Sequence, residues 1–328
     1  MTASGSMTTL VTGATGFLGG ALVRRLAGGG DPVRAAVRDA GSPAAVALRA
    51  VGVDCVEVGD IGPATSWSAA LGGVRTVVHC AARVHQLRDT ADDPLTEFRR
   101  VNTVGTLHLA DAAMDAGVSR VVFVSTIGVN GSETSRGAFG PSSPIVPNGP
   151  YALSKWEAEQ VLSTRAASGG PEVVVVRPPL IYGPQAPGNF DVLVRAVRKG
   201  LPLPLGSVRN LRSFAAVDNV ADLLRVCIDH PEAAGRVFYV SDAEDVSTAE
   251  FIRRIAAAAG LPSRLLPVPV WLLRAGAGLV GKAGTLEKIA GTLQVDISET
   301  RHRLGWAPVA SMSEVLAAAL GSQREGYP

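Results

Sequence analysis

The chain reads as an α/β protein built on a doubly wound parallel sheet, with a smaller, mostly helical region towards its C-terminus. Three observations carry that reading. Short β-branched runs alternate with amphipathic segments through the first half of the chain. The first run opens directly onto a glycine-rich turn and then a helical segment. After Pro178 the alternation stops and helical periodicity takes over.

The first strand is Thr8–Thr12, leading into Gly13-Ala14-Thr15-Gly16-Phe17-Leu18-Gly19 and a helix predicted over Gly20–Ala27. Three glycines in that spacing allow a tight turn, close approach of backbone to a pyrophosphate, and packing of helix on sheet, with the helix N-terminus facing the negative charge. The expectation is dinucleotide binding along Gly13, Thr15, Gly16, Phe17, Leu18 and Gly19. Val33–Val37 is the second strand; it ends at Arg38-Asp39, where a ribose-binding carboxylate usually stands. A helix over Pro43–Ala50 precedes strand Cys55–Val58, which ends at Gly59-Asp60-Ile61. Asp60 and Ile61 either flank an adenine or make an ordinary strand-end turn.

Strand Thr76–His79 ends on Cys80-Ala81-Ala82, small residues across which a cofactor could lie. A helix containing Asn102 follows, then the buried strand Arg120–Val124, which runs into Ser125-Thr126 at the sheet edge where open α/β sheets bind ligands. Residues 127–150 are rich in Gly, Ser and Pro without periodicity, the composition of a long functional loop. That loop delivers Tyr151, at the head of a helix predicted to reach Leu162. Lys155 lies one turn further on, so a phenol and an ammonium share one face. A tyrosine works as acid or base near neutral pH only if its phenolate is stabilised, and a lysine at this spacing supplies the charge.

Strand Pro171–Val176 leaves the sheet at Arg177-Pro178-Pro179-Leu180, where paired prolines set an extended exit. A helix over Phe190–Lys199, the segments Leu201–Leu205 and Asn210–Phe214, and a helix over Val217–Asp229 follow; strand Val237–Val240 is expected to rejoin the sheet. The remainder reads as helical, closing with Val315–Leu320. The organisation expected is a dinucleotide-binding domain over 7–177, with 208–242 returning to it, and a substrate-binding region over 178–207 and 243–322. The most hydrophobic late stretch, Leu265–Val280, is broken by Pro267, Pro269 and Arg274 and is shorter than the roughly 20 apolar residues of a membrane span. It is expected to be a buried amphipathic helix without stable membrane insertion, peripheral membrane contact being the lesser alternative.

With 47% hydrophobic and 18% charged residues, the 328-residue chain has ample material for a core. A formal net charge of +2 without any basic block argues against nucleic acid. Cys55, Cys80 and Cys227 fall in apolar segments without Cys-x-x-Cys spacing, which points to reduced thiols. Met1–Thr9 shows neither the basic nor the apolar region of a signal peptide, so a cytoplasmic location is expected. The five histidines match no zinc or triad pattern, leaving no metal site to propose.

With Gly13/Gly16/Gly19, Ser125-Thr126 and Tyr151-x-x-x-Lys155 in hand, the chain resembles the extended short-chain dehydrogenase/reductases. It is most similar to their nucleotide-sugar branch of epimerases, 4,6-dehydratases and 4-keto reductases, from Leu10 to about Leu320. The resemblance implies a Rossmann-type sheet and a catalytic set of Thr126, Tyr151 and Lys155, with Ser125 assisting or binding substrate. Tyr151 would be the acid/base; Lys155 would hold the nicotinamide ribose and lower the phenol's pKa. Ala81, Ala82, Asn102, Pro178 and Leu180 would border the cofactor. Arg212 would grip a nucleotide diphosphate, which suits a bidentate cation, or else be a solvated loop cation. Asn189 would contact substrate.

Dehydratases of this branch carry an Asp-Glu pair directly after the catalytic Thr, and Ile127-Gly128 stands there instead. Oxidoreduction or epimerisation at one sugar carbon remains. The first expectation is NADPH-dependent reduction of a UDP-linked 4-keto-6-deoxy hexose or hexosamine: the run from Asn189 to Arg212 resembles reductases of such sugars, and Arg38 beside the ribose would favour NADP, unless it merely points to solvent. The alternatives are a UDP-hexose 4-epimerase with bound NAD, a steroid or flavonoid ketone reductase, and a dinucleotide-sensing regulator. A homodimer is compatible with the resemblance.

Overall fold

The computed structural model describes residues 8–84, 93–135, 137–279 and 283–321; the expected domain limits at 7 and 322, and Val280, lie outside them. The elements are β1 Thr8–Thr12, α1 Phe17–Gly28, β2 Val33–Val37, α2 Pro43–Ala50, β3 Asp54–Glu57, α3 Ser68–Leu71, β4 Val74–His79 and α4 Pro94–Phe98. A π-helical turn, Arg99–Val104, joins α4 to α5 Gly105–Asp115. Then come β5 Arg120–Val124, α6 Gly149–Ala167, β6 Glu172–Arg177, β7 Leu180–Tyr182, α7 Asn189–Arg198, β8 Arg212–Ala216, α8 Val217–Asp229 and β9 Val237–Tyr239. The chain continues with β10 Asp245–Val246, α9 Thr248–Ala258, α10 Val270–Leu279, α11 Ala283–Ala290, α12 Ser298–Leu304 and α13 Met312–Gly321.

Seven strands form one parallel sheet in the order β3-β2-β1-β4-β5-β6-β9. Its strands are apolar on both faces because helices cover both. Val11, Val78, Val122 and Val174 pack with α1 and α8, whereas their neighbours Leu10, Val77, Val121 and Val173 pack with α3, α5 and α6. The order reverses between β1 and β4, and in such sheets that reversal opens a crevice at the strands' carboxyl ends. A second, three-stranded sheet, β10-β8-β7, carries the C-terminal region. There Tyr182, Phe190, Phe214 and Phe251 build a core with α7, α9 and α13, the Phe214 and Phe251 rings stacked 4.0 Å apart.

Three boundaries differ from expectation for visible reasons. α1 begins at Phe17, not Gly20, because Gly16 is its N-cap and Gly19 lies inside the first turn. α6 begins at Gly149, with Pro150 in the first turn, where a missing N–H costs nothing. The late hydrophobic stretch forms a helix only from Val270, after Pro267 and Pro269, and it is not buried: Trp271 is 71% exposed. Val270 and Leu273 of α10 meet the core.

Candidate active site

The crevice between β1 and β4 is a cleft of about 720 Å³ lined by Gly13, Thr15, Gly16, Val37, Arg38, Asp60, Ile61, Ala81 and Ala82. Gly13 has φ +64°, and a Cβ there would lie 2.9 Å from Ala81 N and Cα. A Cβ on Gly19 would fall 2.2 Å from the Gly13 carbonyl oxygen. The loop is therefore a cradle of bare backbone that any side chain would fill, and these residues fit a dinucleotide's pyrophosphate at the start of α1. Phe17 and Leu18 are committed to packing: Phe17 touches both the main core and the C-terminal one, and Leu18 the main core.

At the outer end Arg38 and Asp60 form an ion pair, N to O 2.8 Å, with both side chains about four-fifths exposed. The cation expected beside the ribose thus already has an acid against it. Asn102 does not offer its amide to the cleft. It is 1% exposed, accepts from Arg83 N (2.8 Å) and donates to Arg83 O (3.0 Å) and Ser154 Oγ (3.0 Å). It braces the loop after Ala82 against α6, so in this structure its amide is taken up by Arg83 and Ser154.

Four chain segments bring the catalytic candidates together. β5 ends on Ser125-Thr126, and Thr126 caps a short 3-10 turn, Ile127–Val129, by accepting from Gly128 N (3.2 Å). Ile127 N donates to Pro178 O (2.9 Å), which ties this strand end to the exit of β6, where Pro178 is buried and Leu180 opens β7. The Cβ position of Gly128 lies 3.3 Å from the Ala152 side chain, so the first turn of α6 sits against the Thr126 turn. Tyr151 stands in that turn, edge-on to Phe98 with ring centroids 5.9 Å apart.

Burial pushes the Tyr151 phenol up to about 12. Lys155 is 1% exposed, with Nζ 3.9 Å above the Phe123 ring, and burial brings its ammonium down to about 7, opposed by the nearby Glu159 carboxylate. Desolvation sets the direction for Tyr151, against the lowering by Lys155 expected from the motif.

Ser125 is placed differently from expectation. Its hydroxyl donates to Glu159, and it is 3% exposed, so it is held in the interior. Glu159 continues the Tyr151/Lys155 line by one more turn and pairs with Arg177 (2.5 Å), both nearly inaccessible; Arg177 also donates to Tyr239 Oη (2.9 Å). Sequence reasoning missed this pair, although an arginine closing the run Val173–Val176 signalled it.

It also missed His79, fully buried at the end of β4. Thr106 Oγ1 donates to Asn102 O (2.6 Å) and so accepts from His79 Nε2 (3.0 Å), leaving Nδ1 to accept from Thr12 Oγ1 (2.7 Å). Thr12 in turn accepts from Ala81 N (3.2 Å). Burial holds this imidazole down at about 3, so it is a neutral strut beneath the Ala81 edge.

In the C-terminal region Asn189 is exposed at the first position of α7. Arg212 opens β8, partly buried, donating to Gly291 O (2.9 Å), and burial lowers its pKa. No acid pairs with it among the described residues. A guanidinium held by one carbonyl keeps donors for an anion. Among the described residues no cluster of His, Cys, Asp and Glu could hold a metal ion.

A family model described as the NAD dependent epimerase/dehydratase family matches residues 9–241. A UDP-glucose 4-epimerase of Vibrio cholerae is 45% identical over 308 residues, covering 93% of this chain and 92% of that one. Among solved structures, the dTDP-glucose 4,6-dehydratase DesIV of Streptomyces venezuelae, crystallised with NAD and TYD, superposes with TM-score 0.78 at 26% identity over 97% of each chain. The UDP-N-acetylglucosamine 4-epimerase of Bacillus cereus has the same fold, with TM-score 0.78 at 21% identity over 98% of each.

Proposed function

Because the chain belongs to the NAD dependent epimerase/dehydratase family, we propose that it interconverts the C4 epimers of a UDP-linked hexose, with NAD as its bound cofactor and Tyr151 as acid/base. The observation that carries this is an intact Thr126, Tyr151 and Lys155 set in a chain 45% identical, nearly end to end, to a UDP-glucose 4-epimerase. Bound NAD would supply a reversible hydride acceptor.

The chain's own residues do the rest. Burial keeps the Tyr151 phenol neutral, the form that donates a proton to a ketone oxygen. To accept the proton of a C4 hydroxyl, Tyr151 must become a phenolate, and Lys155 on the same face is the cation that stabilises it. Thr126 lies at the adjoining strand end and fixes the oxygen's direction. Arg212, without an acid partner among the described residues, suits a substrate diphosphate and speaks against a sterol or flavonoid. Ile127 is buried and Gly128 packs on Ala152, so neither of the two positions after Thr126 offers an acid to eliminate water.

Reduction of a 4-keto sugar with NADPH, the first expectation from the sequence, is the second reading. One residue favours it: Arg38 at the end of β2. Its pairing with Asp60 weakens that argument, since a 2′-phosphate would have to displace or tolerate the carboxylate. The test is incubation with UDP-glucose, UDP-galactose and their N-acetylated counterparts without added reductant. Interconversion supports the epimerase. NADPH oxidation with a UDP-4-keto sugar, and no interconversion, replaces it with the reductase.

A further inference from the structure

Between Glu250 and Glu287 the sequence contains no acidic residue but five cations, Arg253, Arg254, Arg264, Arg274 and Lys282. Arg253 and Arg254 are answered by Glu250 and Glu244. Arg264 and Arg274 are exposed and pair with no acid among the described residues.

In sequence they bracket a stretch that is apolar where solvent should be. A helix on a protein's rim ordinarily turns polar residues outward, and one apolar all round is ordinarily buried. In α10, Val270 and Leu273 pack inward, yet the outward side carries Trp271 (71% exposed) and Leu272 (48%). The segment before it is bridged to its neighbour at Leu203 and Leu265, and those two segments expose Leu201 (48%) and Leu266 (47%). Gly276 and Gly278 meet nothing within 4 Å. Ten residues with two glycines form a marginal helix in water.

We propose that α10 and the segment leading into it form an interfacial surface that seats on an anionic lipid bilayer. Trp271 and Leu272 enter the boundary between headgroups and acyl chains, while Arg264 and Arg274 meet lipid phosphates. Trp and Leu beside Arg on a short helix suit that boundary. At about 1.5 Å per residue, α10 is roughly 15 Å long, half of what a span needs, so it lies on the bilayer. A second copy of the chain fits less well, because a two-fold contact sets a patch against itself and would oppose Arg264 and Arg274 with cations and no acid. The surface does not depend on which sugar the catalytic site takes.

The experiment is flotation of the full chain with vesicles of phosphatidylcholine alone and of phosphatidylcholine with phosphatidylglycerol, alongside tryptophan emission. Trp67 and Trp306 are buried and Trp156 partly so, which makes Trp271 the reporter. The expected result is flotation with anionic vesicles only, a blue shift lost in Trp271→Phe, and loss of flotation in Trp271→Glu/Leu272→Glu. Arg264→Gln/Arg274→Gln should lower partitioning roughly thirtyfold, with turnover of the soluble substrate unchanged. The proposal is overturned if low-salt flotation is absent, if it survives Trp271→Glu/Leu272→Glu, or if the chain instead forms a dimer that this double variant dissociates.

Discussion

Replacing Lys155 by Met should stabilise the cofactor-free protein while destroying its activity. Lys155 is 1% exposed, and its ammonium falls from 10.5 to about 7 through burial. At about 1.4 kcal/mol per pH unit, that fall corresponds to roughly 5 kcal/mol against the charged form. The Phe123 ring beneath Nζ returns about 2 kcal/mol, so Met should gain about 3 kcal/mol near neutrality. The folded value lies below the unfolded one, so between pH 7 and 10.5 the unfolded chain binds more protons and wild-type stability rises with pH. The gap between Lys155→Met and wild type is therefore widest at and below pH 7 and closes towards 10.5. Urea midpoints of both proteins at pH 6.5 and pH 9 measure it. A variant less stable than wild type at pH 6.5, or a gap unchanged with pH, would show that Glu159 already neutralises this lysine and refute the reasoning.

Tyr151→Phe removes only the acid/base oxygen, so turnover should drop at least about a hundredfold with cofactor affinity by titration nearly unchanged; more than a tenth of wild-type turnover would remove Tyr151 from its role. Arg212→Ala should weaken UDP binding by roughly thirtyfold, about 2 kcal/mol by calorimetry, and unchanged affinity would make this arginine a structural tie to Gly291. Glu159→Gln leaves Arg177 buried without its counter-charge and should cost about 3 kcal/mol in urea denaturation, whereas a near-neutral result would mean that Asn130 and Tyr239 suffice to hold the guanidinium.

Much of this site is local, and local patterns are legible. β1, β2, β5, α2 and α8 begin and end where hydrophobic periodicity and capping residues place them. The glycine cradle and the Tyr151/Lys155 line each lie within a few residues of sequence, so their spacing, read with the strands and helices that flank them, is enough to propose them. What escaped depends on neighbours that only the fold supplies. Arg38 and Asp60 meet because β2 and β3 are adjacent. Ser125 turns inward because Glu159, two turns along α6 from Tyr151, reaches it from the other side of the loop. Asn102 sits on a π-helical turn that aims its amide at Arg83 and Ser154, a geometry no periodicity announces. The hydrophobicity of α10 was plain, but hydropathy records how apolar a segment is and not which side the core covers.

In the proposed epimerisation one phenol serves a reversible hydride step at a single sugar carbon. That step is tested most directly with UDP-glucose deuterated at C4, incubated with the purified protein in unlabelled water without added reductant. The expected product is UDP-galactose that keeps its deuterium at C4, because the hydrogen leaves and returns within one site. Deuterium lost to solvent, or no product until NADPH is supplied with a 4-keto sugar, would contradict it.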